Sequence, residues 1–210
     1  MSLTPSSAIQ SPIKGPSLIH RPESWVEPLR VAAMFPATQP LEVELGAGDG
    51  SFLAQWAAAH PERNFIGVER LLGRLRKLDR KGQRLGLQNL RLMRIEASYF
   101  LQYLLPASCV TALHVYFPDP WPKRKHQKNR LINEHFPVAA ARALVSGGVV
   151  WLRTDHAEYF EQMQEVFRGA KEFRALETPP DLAAVVTDFE RQFNAQGICT
   201  WRAGWVLGQR

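Results

Sequence analysis

Five carboxylates, Glu44, Glu69, Glu96, Asp119 and Asp155, are the residues of this 210-residue chain best placed to do chemistry. Each stands at or just beyond the end of a short apolar run that reads as a strand, at 41–45, 64–68, 89–95, 109–117 and 149–152. A lone acid in a loop reads as a solvated side chain or a helix cap. Five that track successive strand ends read as one site, because in a doubly wound sheet those ends share the edge where ligands bind.

The first strand, Leu41 to Leu45, runs into Gly46, Gly48 and Gly50. Glycines at alternate positions let the backbone turn tightly and bring main-chain N–H groups close to a ligand. The alanine-rich segment 51–59 is helix-forming, so the loop opens onto a helix N-terminus. Glu69 closes the second strand about twenty residues beyond the loop, where a carboxylate accepts hydrogen bonds from ribose hydroxyls. Glu44, just ahead of the first glycine, selects among ligands. It would repel the pyrophosphate of a dinucleotide but suits the ammonium and sulfonium charges of S-adenosylmethionine. The methyl donor is therefore expected in preference to NAD. Glu42 shares the strand parity of Glu44, has no evident chemical role and is expected at the surface.

The second chemical stretch is Phe117-Pro118-Asp119-Pro120-Trp121-Pro122-Lys123. Each proline fixes its own φ and holds its predecessor extended, so Asp119 is stiffly presented. A rigid carboxylate beside an aromatic ring suits a flat base: Trp121 can stack on it while Asp119 accepts from its N–H edge. From Lys123 to Arg130, five of eight residues are Lys or Arg. Beside a base-sized pocket, this run reads as a phosphate-binding strip. His126, inside it, reads as an RNA contact or an exposed side chain.

Strand and helix signals alternate from Leu41 onward, which predicts a doubly wound parallel sheet with helices on both faces. After Glu69, Leu71, Leu75, Leu78 and Leu85 form one apolar stripe on a helix otherwise rich in Arg and Lys. That basic face reads as solvated or as a second RNA surface. Ser98 is expected to cap a helix over 99–105, and 129–144 reads as a helix kinked at Pro137 and ended by Gly147-Gly148. A further helix over 156–167 carries Phe160, Met163 and Phe167 on one face. Another covers 187–195, and a last strand covers 198–207. Residues 1–17, rich in Ser and Pro, read as a disordered tail, and 18–40 as an irregular cover over the domain that begins at Leu41 and runs to 210.

With 45% hydrophobic residues the chain can fill one substantial core, and its net charge of +6 suits an anionic partner. Cys109 and Cys199, far apart in apolar runs, are expected to be free buried thiols in a reducing compartment. No metal is expected. Nor is there an apolar leader or an apolar run long enough to cross a membrane, so a cytoplasmic protein without membrane association is expected.

Glu44 to Gly50, Gly67-Val68-Glu69, Phe117 to Lys123 with its basic run, Thr154-Asp155 and Thr187-Asp188-Phe189-Glu190 together resemble the bacterial tRNA (guanine-N7-)-methyltransferase family. The resemblance runs from about Leu41 to near Phe193. The glycine loop is shared by many methyltransferases; the Asp-Pro-Trp stretch with its basic tail and the Thr-x-Phe-Glu tetrad are far more specific. The family implies a Rossmann-like class I S-adenosylmethionine-dependent methyltransferase fold, a single domain on a mostly parallel seven-stranded sheet. It implies methyl transfer to N7 of guanine 46 in the tRNA variable loop. It also implies that Glu44, Glu69, Glu96 and Asp119 surround the methyl donor with the loop glycines, and that Asp119 is catalytic. Lys123, Asp155 and Thr187, Asp188, Phe189 and Glu190 would lie on the substrate side, and Lys125, His126, Gln127, Lys128, Asn129 and Arg130 would touch RNA. Glu96 departs from the Asp more usual there, and the Ser/Pro-rich opening departs from an arginine-rich start. The sequence leaves monomer and homodimer open.

Two rival functions are distinguishable. Methylation of an exocyclic amine on adenine or cytosine calls for a second proline after Asp119-Pro120, where this chain has Trp121. A catalytically inactive RNA-binding module would fail to bind S-adenosylmethionine in equilibrium dialysis.

Overall fold

Strands β1 (Leu41–Leu45) and β2 (Asn64–Val68) are buried at every position, as befits the centre of a sheet covered on both faces. With β3 (Leu90–Met93), β4 (Val110–Tyr116) and β5 (Leu144–Thr154) they pair in parallel; β7 (Trp201–Leu207) runs antiparallel between β5 and β6 (Phe173–Leu176). The order across the seven-stranded sheet is β3-β2-β1-β4-β5-β7-β6. These and all other observations concern residues 15–209, which the computed structural model describes. The disordered tail expected for 1–17 therefore lies largely outside the described residues. Chain direction across the sheet reverses between β1 and β4, the switch point at which doubly wound sheets open a crevice.

Helices α1 (Leu53–Ala59) and α2 (Leu72–Arg84) cover one face, where Trp56, Leu75 and Leu78 pack on Phe65, Leu90 and Leu92. The other face carries α3 (Ala97–Tyr99) with its π-helical continuation Phe100–Leu104, then α4 (Phe136–Ala143) and α5 (Ala157–Gly169). Two short helices, α6 (Pro180–Ala184) and α7 (Asp188–Ala195), follow β6.

Several local expectations are corrected. The inner face of α2 is Leu75, Leu78, Asp79 and Gly82, while Leu71 and Leu85 flank the helix half-exposed. Pro137 stands in the first turn of α4, where its missing N–H costs nothing, so it starts a helix rather than kinking one. Residues 124–129 form a separate 3-10 turn. Gly147 and Gly148 do not end α4: they lie within β5, where the register with β4 jumps from Val110↔Leu144 to Ala112↔Val149 and Gly147 takes φ +76°. The cap of α3 is Glu96, whose carboxylate accepts from the N–H groups of Ser98 and Tyr99, not Ser98. On α5, Tyr159 replaces Phe160 on the inner face, and Phe160 instead stacks on Trp201. Strand β6 and helix α6 carry little apolar period to announce them.

The segment before β1 is tied down by backbone pairing. Leu92 N donates to Leu18 O and His20 N to Leu92 O, and Asp79 accepts from Leu18 N at 2.8 Å. Leu29, Met34 and Phe35 enter the core, whereas Trp25 stays exposed. Cys109 is half-buried with its thiol pushed up to about 11 by burial, but Cys199 is exposed, in a loop outside the core.

Glu42 is not at the surface. It is 3% exposed and accepts hydrogen bonds from Trp56 Nε1 at 2.8 Å and Arg63 NH1 at 2.6 Å, with His114 Nε2 at 2.9 Å. These partners hold its carboxyl down at about 2 against the opposing effect of burial, while burial keeps the His114 imidazole below its ordinary value. Both acids of β1 face inward: Trp56 of α1, Arg63 just before β2 and His114 of β4 surround one, and the other lies at the ligand edge.

Candidate active site

The loop after β1 has the conformation that only glycine adopts freely. Gly46, Gly48 and Gly50 sit at φ +84°, +56° and +75°. A Cβ added to Gly46 would meet nothing within 4 Å, and one on Gly48 only a backbone oxygen at 4.0 Å, so both leave open space beside the loop. Gly50 differs: an added Cβ would lie 2.1 Å from Leu78 Cδ1. Its lack of a side chain lets the loop close onto α2. Glu69 fastens the same loop, accepting from Gly48 N at 3.1 Å and from Leu71 N at 2.6 Å. Those bonds orient a carboxylate that retains lone pairs for further donors.

Glu44 is the electrostatic centre of the edge. It is 4% exposed, and its Oε2 has no hydrogen-bond partner among the described residues. Burial pushes its carboxyl up to about 8; Arg153 opposes this, while Glu69 and Asp49 reinforce it. A buried acid without a partner is what a cationic ligand would satisfy. The linkage has a definite sign. Because the folded value lies above the unfolded one, Glu44 subtracts stability as pH rises from the ordinary carboxylate range to about 8, and no further above it. Binding a cation to the ionised form must then release about one proton at pH 7. Calorimetry of S-adenosylmethionine binding in buffers of different ionisation enthalpy should detect that proton, and Glu44→Gln should abolish it with about tenfold or greater loss of affinity. Release of no proton in the unsubstituted protein would contradict this account.

Across the switch point, the stretch after β4 is rigid and strained. Phe117 takes φ +51° and Trp121 φ +42°, uncommon for side chains of this size. Asp119 is exposed and its Oδ1 accepts from Trp121 N at 3.2 Å. Trp121 is half-buried, its ring edge-on to His126. The fastening is supplied by Arg130. Its Nε donates to Pro120 O at 2.7 Å, its other nitrogens donate to Gln162 and Glu158 on α5, and its guanidinium lies over the Tyr159 ring. Arg130, expected to touch RNA, is 2% exposed and its guanidinium is engaged inside the protein. Lys123, Lys125, Lys128 and Asn129 are exposed, and His126 and Gln127 are half-buried, Gln127 donating to Glu158.

The tetrad at 187–190 is divided by the structure. Thr187 and Glu190 form a capping box on α7, with Glu190 N donating to Thr187 Oγ1 and Thr187 N to Glu190 Oε2. Glu190 is fully buried and receives Arg153 at 3.0 Å and Arg202 at 2.8 Å. These two residues build the wall; Asp188 and Phe189 are the exposed members. Phe189 packs beside Phe117 and Phe193, facing the proline-rich stretch. Asp155 is half-buried directly after β5. Glu96 is exposed, both its oxygens occupied in capping α3.

One participant, Arg153, escapes a reading of the sequence, and the strained backbone of Phe117 does too. Arg153 looks like a stray charge in an apolar strand, yet it joins β5 to α6 and α7 and lies over the Tyr116 ring at 4.3 Å. Its position between the Val149–Leu152 run and Thr154-Asp155 was the available signal. Phe117 had none beyond its place before Pro118.

The strand order, the glycine loop and an unpartnered buried carboxylate beside it define a Rossmann-like class I S-adenosylmethionine-dependent methyltransferase. Solved structures agree on the fold: a 16S rRNA methyltransferase, KamB, superposes with a TM-score of 0.57 at 17% identity over 81% of this chain and 88% of that one. An O-methyltransferase from Thermotoga maritima gives 0.56 at 13% identity over 86% and 64%. More specifically, residues 38–203 match the family described as "Putative methyltransferase". The chain is 35% identical over 180 residues to the tRNA (guanine-N(7)-)-methyltransferase of Sodalis glossinidius (strain morsitans), covering 83% of this chain and 75% of that protein. It is 34% identical over 189 residues to the enzyme of that name from Syntrophotalea carbinolica, covering 88% and 81%. The chain belongs to the tRNA (guanine-N(7)-)-methyltransferase family.

Proposed function

We propose that this protein transfers a methyl group from S-adenosylmethionine to N7 of guanine 46 in the tRNA variable loop, acting in the cytoplasm. The observation that carries the reading is the pairing, across one switch point, of a glycine cradle holding Glu44 and Glu69 with a stiffened Asp119 that leads into exposed cations. When bound, S-adenosylmethionine supplies an electrophilic methyl group; Glu44 would face its positive charge and Glu69 its ribose. Residues 41–210 form the methyltransferase domain in this reading, with 18–40 as its cover.

Guanine N7 carries an in-plane lone pair and no proton, so its attack needs no general base. Alignment is the chief requirement, and holding the reacting atoms at roughly 3–3.5 Å supplies much of the rate. The modified guanine is cationic, so a fixed carboxylate beside it stabilises charge as it develops. Asp119 has that position and that rigidity. Phe189 and Trp121 offer ring faces to the base, and Asp155 and Lys123 flank it. Lys125 and Lys128 hold phosphate. The test is incubation of the protein with labelled S-adenosylmethionine and bulk tRNA, followed by nucleoside identification. 7-Methylguanosine at the variable loop is expected; label in a methylated adenosine or cytidine would favour the exocyclic-amine alternative.

A further inference from the structure

We propose that the outer face of α2 is a second RNA-binding surface that engages the phosphate backbone of the same tRNA, remote from the methylated base. The inference rests on the tRNA methyltransferase reading and extends it to a surface that the active-site residues do not include.

Helix α2 carries Arg74, Arg76, Lys77, Arg80, Lys81 and Arg84. At 3.6 residues per turn all six fall within about 160° of arc, opposite the buried stripe of Leu75, Leu78, Asp79 and Gly82. All are exposed or half-exposed, and among the described residues none lies within ion-pair distance of a carboxylate. The helix has a single acid, Asp79, and it is turned inward to bind Ser17 Oγ and Leu18 N. It therefore does nothing for the outer face.

For stability alone this is a poor helix. Arg76 and Arg80, Arg80 and Arg84, and Lys77 and Lys81 are like charges four apart, which repel. The first turn has no acid to complement the helix dipole but does have Arg74. A solvated helix face ordinarily mixes charges of both signs, and an uncompensated one-sign face is the footprint of a polyanion. The helix is also well placed. It leaves the ligand edge directly after Glu69, which accepts from Leu71 N, and the glycine loop closes on its Leu78. Its length of roughly 20 Å exceeds the reach of one nucleotide.

The test compares tRNA binding by the full-length protein with that of Arg76→Ala/Arg80→Ala/Arg84→Ala over a range of salt concentrations. The variant should bind tRNA about 10- to 100-fold more weakly near 0.1 M salt, and its log–log salt dependence should be shallower by about two to three. S-adenosylmethionine binding by equilibrium dialysis should be unchanged, and the triple Lys variant at the same positions should bind tRNA like the parent. Unchanged tRNA affinity and slope in the Ala variant would overturn the proposal, as would loss of binding in both the Lys and Ala variants. Sensitivity confined to phosphatidylglycerol vesicles would also overturn it by assigning the face to lipid. Failure of the parent to form 7-methylguanosine, while the Ala variant still loses tRNA, would instead strike the proposed reaction and leave this surface standing.

Discussion

Asp119→Ala should leave S-adenosylmethionine and tRNA bound and should lower kcat by about 10²–10³-fold, the scale of removing one preorganised electrostatic group from a transition state. The expectation follows from where the side chain sits. Among the described residues Asp119 makes one bond, to Trp121 N at the tip of the turn, so its loss removes little from the fold. Its position is instead enforced by flanking prolines and by Arg130, which ties Pro120 O to α5. The effect should therefore fall on kcat and not on KM, because charge on the guanine develops only as the new bond forms. Single-turnover methylation of tRNA with saturating methyl donor reads the chemical step directly. A rate within threefold of the parent would dismiss Asp119 as the charge-stabilising group.

The largest loss of stability should come from Arg153→Met. Arg153 is 1% exposed and donates to Val185 O at 2.7 Å, to Leu182 O and to Glu190 Oε2. Removing one partner of a buried ion pair leaves the other charged and desolvated, at a cost of about 3–5 kcal/mol. Arg202 still reaches Glu190 from a less buried position, which places the expected value toward the lower end. Urea unfolding measures it; a loss below about 1 kcal/mol would show that Arg153 does not hold the wall. Adding Glu190→Gln should restore part of the loss, since the stranded charge is then gone. Arg153→Met also removes the cation that opposes the rise at Glu44, so the proton released on binding the methyl donor should be released over a higher pH range.

The parallel strands, the ligand edge and the site's main acids were legible because they depend on local signals. Continuous apolar runs mark buried parallel strands, alternate glycines mark the loop, and Glu44, Glu69, Asp119 and Asp155 sit at fixed offsets from strand ends. The helix at 188–195 was readable for the same reason, since Thr187 and Glu190 are a capping box written in four residues. What stayed hidden concerns polar side chains whose partners are distant in the chain. Glu42 and Arg130 both read as surface groups, yet Trp56, Arg63 and His114 take one inside and Pro120, Tyr159 and Gln162 the other. That Gly50 also lets the loop close on Leu78 was equally hidden.

By itself, then, the order of residues settled which chain segments meet at the crevice and the kind of charge they bring there. Folding alone decided which of those charges stay free for a ligand and which are consumed in holding the wall. A hydrogen-bond partner sixty or more residues away leaves no periodic trace, whereas burial without one leaves a carboxylate such as Glu44 in want of a cation.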